Sequence, residues 1–78
     1  MANKLIKLGA PWCQSCKQLD KNLVDIVHES KDISKDMEAA KRFTPRSLPT
    51  MILLDENDQE IKRHVGLMSA TDIQKWMI

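Results

Sequence analysis

Cys13 and Cys16, in the stretch GAPWCQSCK, stand three positions apart between a short apolar run and a segment of helical periodicity, and the chain has no other cysteine. That junction constrains the fold more than any other feature. The run NKLIKL, Asn3 to Leu8, is rich in Leu and Ile and is ended by Gly9 and Pro11, which predicts a short strand followed by turn residues. Beyond it Cys16, Leu19 and Leu23 recur at spacings of three and four, with Lys17, Gln18, Lys21 and Asn22 on the other face, so a helix is predicted with Cys13 at or near its start.

The rest of the chain continues in the same style. Ile26 and Val27 either extend the apolar stripe of that helix or open a second strand between Ile26 and Ile33, where HESKDI is polar enough to suit only a sheet edge. Ser34 is a candidate cap for a second helix, Lys35 to Phe43, burying Met37, Ala40 and Phe43 and stopped by Pro45. PTMILL, Pro49 to Leu54, reads as a strand, Asp55 to Asp58 as a polar turn, and Gln59 to Val65 as its hairpin partner. Gly66 breaks that strand, and Ser69 with Asp72 forms a capping box for a last helix burying Ile73, Trp76 and Met77. The order is β-α-β-α-β-β-α. A parallel β-α-β unit followed by an antiparallel hairpin predicts an α/β fold with a four-stranded mixed sheet and three helices.

With 78 residues the chain predicts one small domain, residues 1–78, of a size that often needs a staple such as a disulfide or metal. Twelve basic against eleven acidic side chains leave a net charge of +1 with no basic run, which disfavours nucleic acid as a partner. The first apolar stretch is cut by Lys7 and is too short for a signal-peptide core or a membrane span, so no membrane association and a cytoplasmic location are expected. In a reducing compartment a close cysteine pair points to catalysis or metal binding before a structural bridge.

Positions i and i+3 in a first helical turn bring two sulfurs within reach of a disulfide, and the free N–H groups there favour a thiolate on the first cysteine. Cys13, on the exposed turn, is thus the expected nucleophile toward a substrate disulfide. Cys16, inside the apolar stripe, is expected to resolve the mixed disulfide. The competing reading is zinc, for which the remaining imidazoles, His28 and His64, are far apart in sequence and make a poor ligand set. Each histidine is expected at the surface instead.

APWCQSCK resembles the active-site segment of the thioredoxin family, in which Trp precedes a C-x-x-C and Lys follows it. The resemblance continues in order through AAKRF, RSLPT and RHVG, and so covers most of the chain. It implies a minimal thioredoxin fold in which Pro49 is the family's cis-proline facing the cysteines, and in which Leu48, Pro49 and Gly66 border the substrate groove with Trp12 contacting substrate. It also implies a redox-active Cys13–Cys16 disulfide with no further cofactor. The implied partners are protein disulfides, a thioredoxin reductase-like flavoprotein as electron source and, by resemblance only, a ribonucleotide reductase downstream.

Three departures from the family pattern stand out. The chain is shorter than a typical thioredoxin and lacks a counterpart of its first strand and helix, so one sheet face is expected to be less covered. Lys7 aligns with the family's buried acid, the proton acceptor for the resolving cysteine; it is read as a solvent-facing lysine on the uncovered side, or else as a cation that lowers a cysteine pKa. Gln14 and Ser15 replace the Gly-Pro pair between the cysteines. Two rival functions remain open. One is a glutaredoxin-like protein recharged by glutathione, although GLMSATD has Leu67 and Met68 where that branch carries a second Gly. The other is a thioredoxin-fold binding module that docks a partner on Trp12, Leu48, Pro49, Leu67 and Met68.

Overall fold

The computed structural model describes residues 3–78, which form four strands and three helices. In chain order these are β1 (Lys4–Gly9), α1 (Gln14–Asn22), β2 (Glu29–Asp32), α2 (Met37–Phe43), β3 (Thr50–Leu54), β4 (Glu60–Val65) and α3 (Ala70–Trp76). The sheet order is β2-β1-β3-β4, with β1 parallel to β2 and antiparallel to β3, and β3 antiparallel to β4. The fold class expected from the sequence is the one observed.

Strand alternation sorts the core into two layers. Leu5 and Met51 point to one side of the sheet, where they pack with Leu19 and Leu23 of the α1 segment and Ile73 of α3. Ile6, Leu8, Ile52 and Leu54 point to the other side, against Ala39 and Phe43 of α2. β1 and β3, the inner strands, are buried on both faces, which is why their sequences read as continuous apolar runs. β2, polar and short, lies at the sheet edge as expected. At the other edge Val65 stays 48% exposed, on the side of the sheet where α2 packs and outside its buried core cluster.

Several boundaries differ from the sequence reading. α1 ends at Asn22, and neither of the two fates expected for Ile26 and Val27 occurs: Ile26 packs on the core from a loop, and Val27 is 94% exposed. α2 is capped by Asp36 rather than Ser34 and begins at Met37 rather than Lys35. The reason lies in a competing local hydrogen bond. Ser34 donates both its backbone N–H and its hydroxyl to Asp32 Oδ1, closing a turn that leaves the N-cap to Asp36, whose carboxylate accepts from the Ala39 N–H at 3.0 Å. The shifted start also rotates the buried stripe, so Ala39 and Phe43 face the core, while Met37 is 62% exposed and Ala40 only partly covered. α2 closes on Thr44, in the left-handed region at φ 42°, just before Pro45.

The last helix starts at Ser69, whose hydroxyl accepts the Asp72 N–H at 3.2 Å, and it buries Ile73 fully and Trp76 and Met77 in part. Among the described residues no helix is long and apolar enough to cross a membrane. If Asp36 is the cap of α2, Asp36→Ala lowers stability by about 1 kcal/mol and Ser34→Ala by clearly less, read by urea unfolding; equal losses would contradict the assignment.

Candidate active site

The site is assembled at one end of the sheet by strand register. Leu8 of β1 pairs with Thr50 of β3, and Thr50 pairs with Val65 of β4. The next residue outward on each strand is therefore Gly9, Pro49 and Gly66, three neighbours in a row across the sheet end. This is the carboxyl end of the parallel pair, where α/β sheets commonly carry their sites. From Gly9 the chain turns through Ala10, Pro11 and Trp12, held by the Cys13 N–H donating to the Ala10 carbonyl at 3.1 Å, and enters α1.

Cys13 is the N-cap of α1. Its sulfur accepts the Cys16 N–H at 3.1 Å, taking the role that a Ser or Asp oxygen usually plays at that position. A donor aimed at this sulfur, at the positive end of a helix, favours its thiolate form. Cys13 and Cys16 are joined as a disulfide with Cα atoms 5.2 Å apart. The two sulfurs differ in access, since Cys13 is half-buried and Cys16 is 2% exposed.

Pro49 follows a cis Leu48–Pro49 bond and is buried; its carbonyl accepts the Gly66 N–H at 2.9 Å, tying the β3 and β4 ends of the row together. Gly66 has φ +106°, a conformation side chains rarely adopt, with no atom near the position a Cβ would take. The backbone shape, not crowding, demands glycine there. Leu48 is half-buried against the α2-side core, and Trp12 is 69% exposed beside the cysteines in sequence. Met68 packs under α3 and offers its carbonyl to the Asn22 side chain, whereas Leu67 stays half exposed.

Lys7 overturns the solvent-facing reading. It is 6% exposed, because alternation along β1 points it to the same side as Leu5, beneath α1, and not to the thinly covered face. Its ammonium is met by Asp20 of α1, Nζ to Oδ1 2.5 Å. Lys7, Cys16 and Asp20 all line one cavity of about 330 Å³, with Lys17, Lys31 and Asp32 at its border. The Ser34 hydroxyl holds the Asp32 carboxyl below its ordinary pKa. Gly9 is the residue that lets this cavity and the disulfide coexist: a Cβ there would stand 3.0 Å from Cys16 Sγ and 3.3 Å from Lys7 Cε.

Sequence reasoning missed Asp20 and the packing role of Gly9. The signal for Asp20 was its i+4 spacing from Cys16; Gly9 offered none beyond its place before the motif. His28 hydrogen-bonds its own loop, bonding to the Ile26 carbonyl, and His64 packs edge-on against Trp76. Among the described residues no group of three or more His, Cys, Asp or Glu side chains is placed to hold a metal ion.

A C-x-x-C pair closed into a disulfide at a helix N-terminus, at the end of a mixed sheet that also carries the cis Leu48–Pro49 bond, defines a thiol–disulfide oxidoreductase. The family model described as Thioredoxin matches residues 2–78, and the chain belongs to the thioredoxin family. It is 38% identical over 65 residues to the SPbeta prophage-derived thioredoxin-like protein YosR of Bacillus subtilis, covering 81% of each chain. It is 34% identical over 70 residues to the bifunctional thioredoxin reductase/thioredoxin of Mycobacterium leprae, spanning 80% of this chain and 15% of that one. Among solved structures it is similar to thioredoxin-2, a component of the malaria parasite protein secretion machinery, with a TM-score of 0.81 at 28% identity, covering 99% of this chain and 84% of that one.

Gly9→Ala should destabilise the oxidised protein by about 1–3 kcal/mol and the reduced protein by less, since only the free thiol of Cys16 can rotate away from the new methyl. Thermal unfolding with and without excess dithiol measures both; equal effects would mean the cavity wall absorbs the methyl.

Proposed function

We propose that the chain reduces disulfides in protein partners, with Cys13 as the attacking thiolate and Cys16 as the resolving thiol. The Cys13 thiolate attacks one sulfur of the substrate disulfide; a Cys13–substrate bond forms and the first substrate thiolate leaves. Cys16 then loses its proton and attacks Cys13, the Cys13–Cys16 bond forms, and the second substrate thiolate departs. Two electrons pass from the dithiol to the substrate. The observation that carries this division of labour is the Cys16 N–H donated to the Cys13 sulfur, together with the near-complete burial of Cys16. A substrate can approach only the sulfur that is accessible, and the N–H stabilises the thiolate on that same sulfur.

Trp12, Leu48, Pro49 and Gly66 form the groove around Cys13 in this reading. The exposed indole of Trp12 and the half-exposed Leu67 suit an apolar protein surface better than a charged tripeptide. Recharging by a thioredoxin reductase-like flavoprotein is supported by the Mycobacterium leprae relative, whose single chain joins a thioredoxin reductase to a thioredoxin. Net reduction of partners fits a reducing, cytoplasmic compartment.

Insulin reduction under limiting dithiol tests the reading. The native chain is expected to turn over, Cys13→Ser to fall to the rate of dithiol alone, and Cys16→Ser to stall as a mixed disulfide on Cys13. A native chain no faster than dithiol alone would overturn it. Replacing dithiol by NADPH with a thioredoxin reductase, or by glutathione, then identifies the electron source.

A further inference from the structure

Resolution requires Cys16 to lose a proton, yet Cys16 is 2% exposed and cannot hand it directly to bulk water. The acceptor must come from the cavity on which the thiol opens. Six polar side chains of three kinds, ammonium, carboxylate and hydroxyl, line that cavity with Cys16. From β1 comes Lys7; from α1 come Lys17 and Asp20; from β2 come Ser30, Lys31 and Asp32. The lysines are ammonium donors and accept nothing. Asp32 spends Oδ1 on the Ser34 N–H and hydroxyl at the rim.

Asp20 is the carboxylate carried by the same helix as Cys16. It lies four residues after Cys16, on the same side of α1 and one turn along, at a Cβ separation of roughly 6 Å. Its Oδ1 is fixed by the buried Lys7 ammonium, while Oδ2 has no partner among the described residues. Its side chain is 50% exposed, so a proton taken inside the cavity can leave to solvent on the outer side. The cavity, about 330 Å³, has room for a water between thiol and carboxylate.

We propose that Asp20 is the general base for the Cys16 thiol in the resolution step, with Lys7 as its positioning residue. The Cys16 S–H bond breaks and its proton goes to Asp20, directly or through one water. The sulfur attacks Cys13, and the departing substrate thiolate takes up a proton from solvent as Asp20 releases its own. During the transfer the cavity keeps its net charge: Lys7 faces a carboxylate before the step and a thiolate after it. The ammonium exchanges one anionic partner for another, so no uncompensated charge is left under α1 at either stage. This inference rests on Cys13 attacking and Cys16 resolving, as proposed above.

Stopped-flow reaction of the reduced protein with an aromatic disulfide that releases thionitrobenzoate separates the two steps. Attack by Cys13 is second order in reagent; resolution by Cys16 is independent of it. Asp20→Asn is expected to leave the first phase unchanged and to slow the second about tenfold or more at neutral pH, with the deficit closing as pH rises and hydroxide takes the proton instead. Because Asp20→Asn strands a buried ammonium, the double variant Lys7→Met/Asp20→Asn is measured beside it and is expected to show the same slow, base-dependent second phase. If both variants keep the native rate and pH profile of the second phase, Asp20 is not the base. Failure of the underlying reading looks different: the native protein itself would show no second phase, or its first adduct would be found on Cys16 by peptide mass.

Discussion

The arrangement depends on β1 being hydrogen-bonded along both edges and covered on both faces. A strand in that position can place nothing in solvent except at its ends, so whatever follows it is delivered to a fixed point at the sheet end. Pairing of β1 with β3 brings Pro49 to that point, and pairing of β3 with β4 brings Gly66. The cysteine turn therefore does not have to find its partners through loop flexibility. It inherits them from the ladder, and α1 is then locked above by Leu19 and Leu23 packing on Leu5 and Met51.

Most of this framework could be read from sequence because it is written in local signals. The apolar run before Gly9, the periodicity after Cys13, the polar turn at Asp55 to Asp58 and the Ser69 capping box each describe their own element, and each element is present. Where local signals compete, other contacts decide between them. Ser34 and Asp36 are both good caps, and the choice between them is made by Asp32, whose carboxylate captures Ser34 first. Ile26 and Val27 carry apolar side chains through a loop, so composition suggested an element where the backbone has none. Ile26 packs against the cluster that holds Leu19, Leu23 and Ile73 while Val27 is left in solvent, a difference set by tertiary packing that no window of sequence records.

Lys7 departs from the solvent-facing expectation for a more instructive reason. The expectation that a lysine faces water is sound for one side chain considered alone, and alternation on β1 already put Lys7 on the side of Leu5. What sequence did not supply was the counter-charge, because Asp20 is thirteen positions away on another element. The strand position that the resemblance aligns with a buried acid carries Lys7, and the carboxylate that meets it stands on α1.

The disulfide joins residues only three apart in sequence. Loops that short remove little of the unfolded chain's freedom compared with the long loops closed by bridges in secreted domains. It also spans a single helical turn that the N-cap and the core beneath α1 already hold. The bond is therefore an acceptor of two electrons and not a brace, and a chain of 78 residues that reads as needing a staple stands instead on its two apolar layers. Opening and closing the bond can then change the chemistry at one end of the sheet while the scaffold that aims it stays assembled.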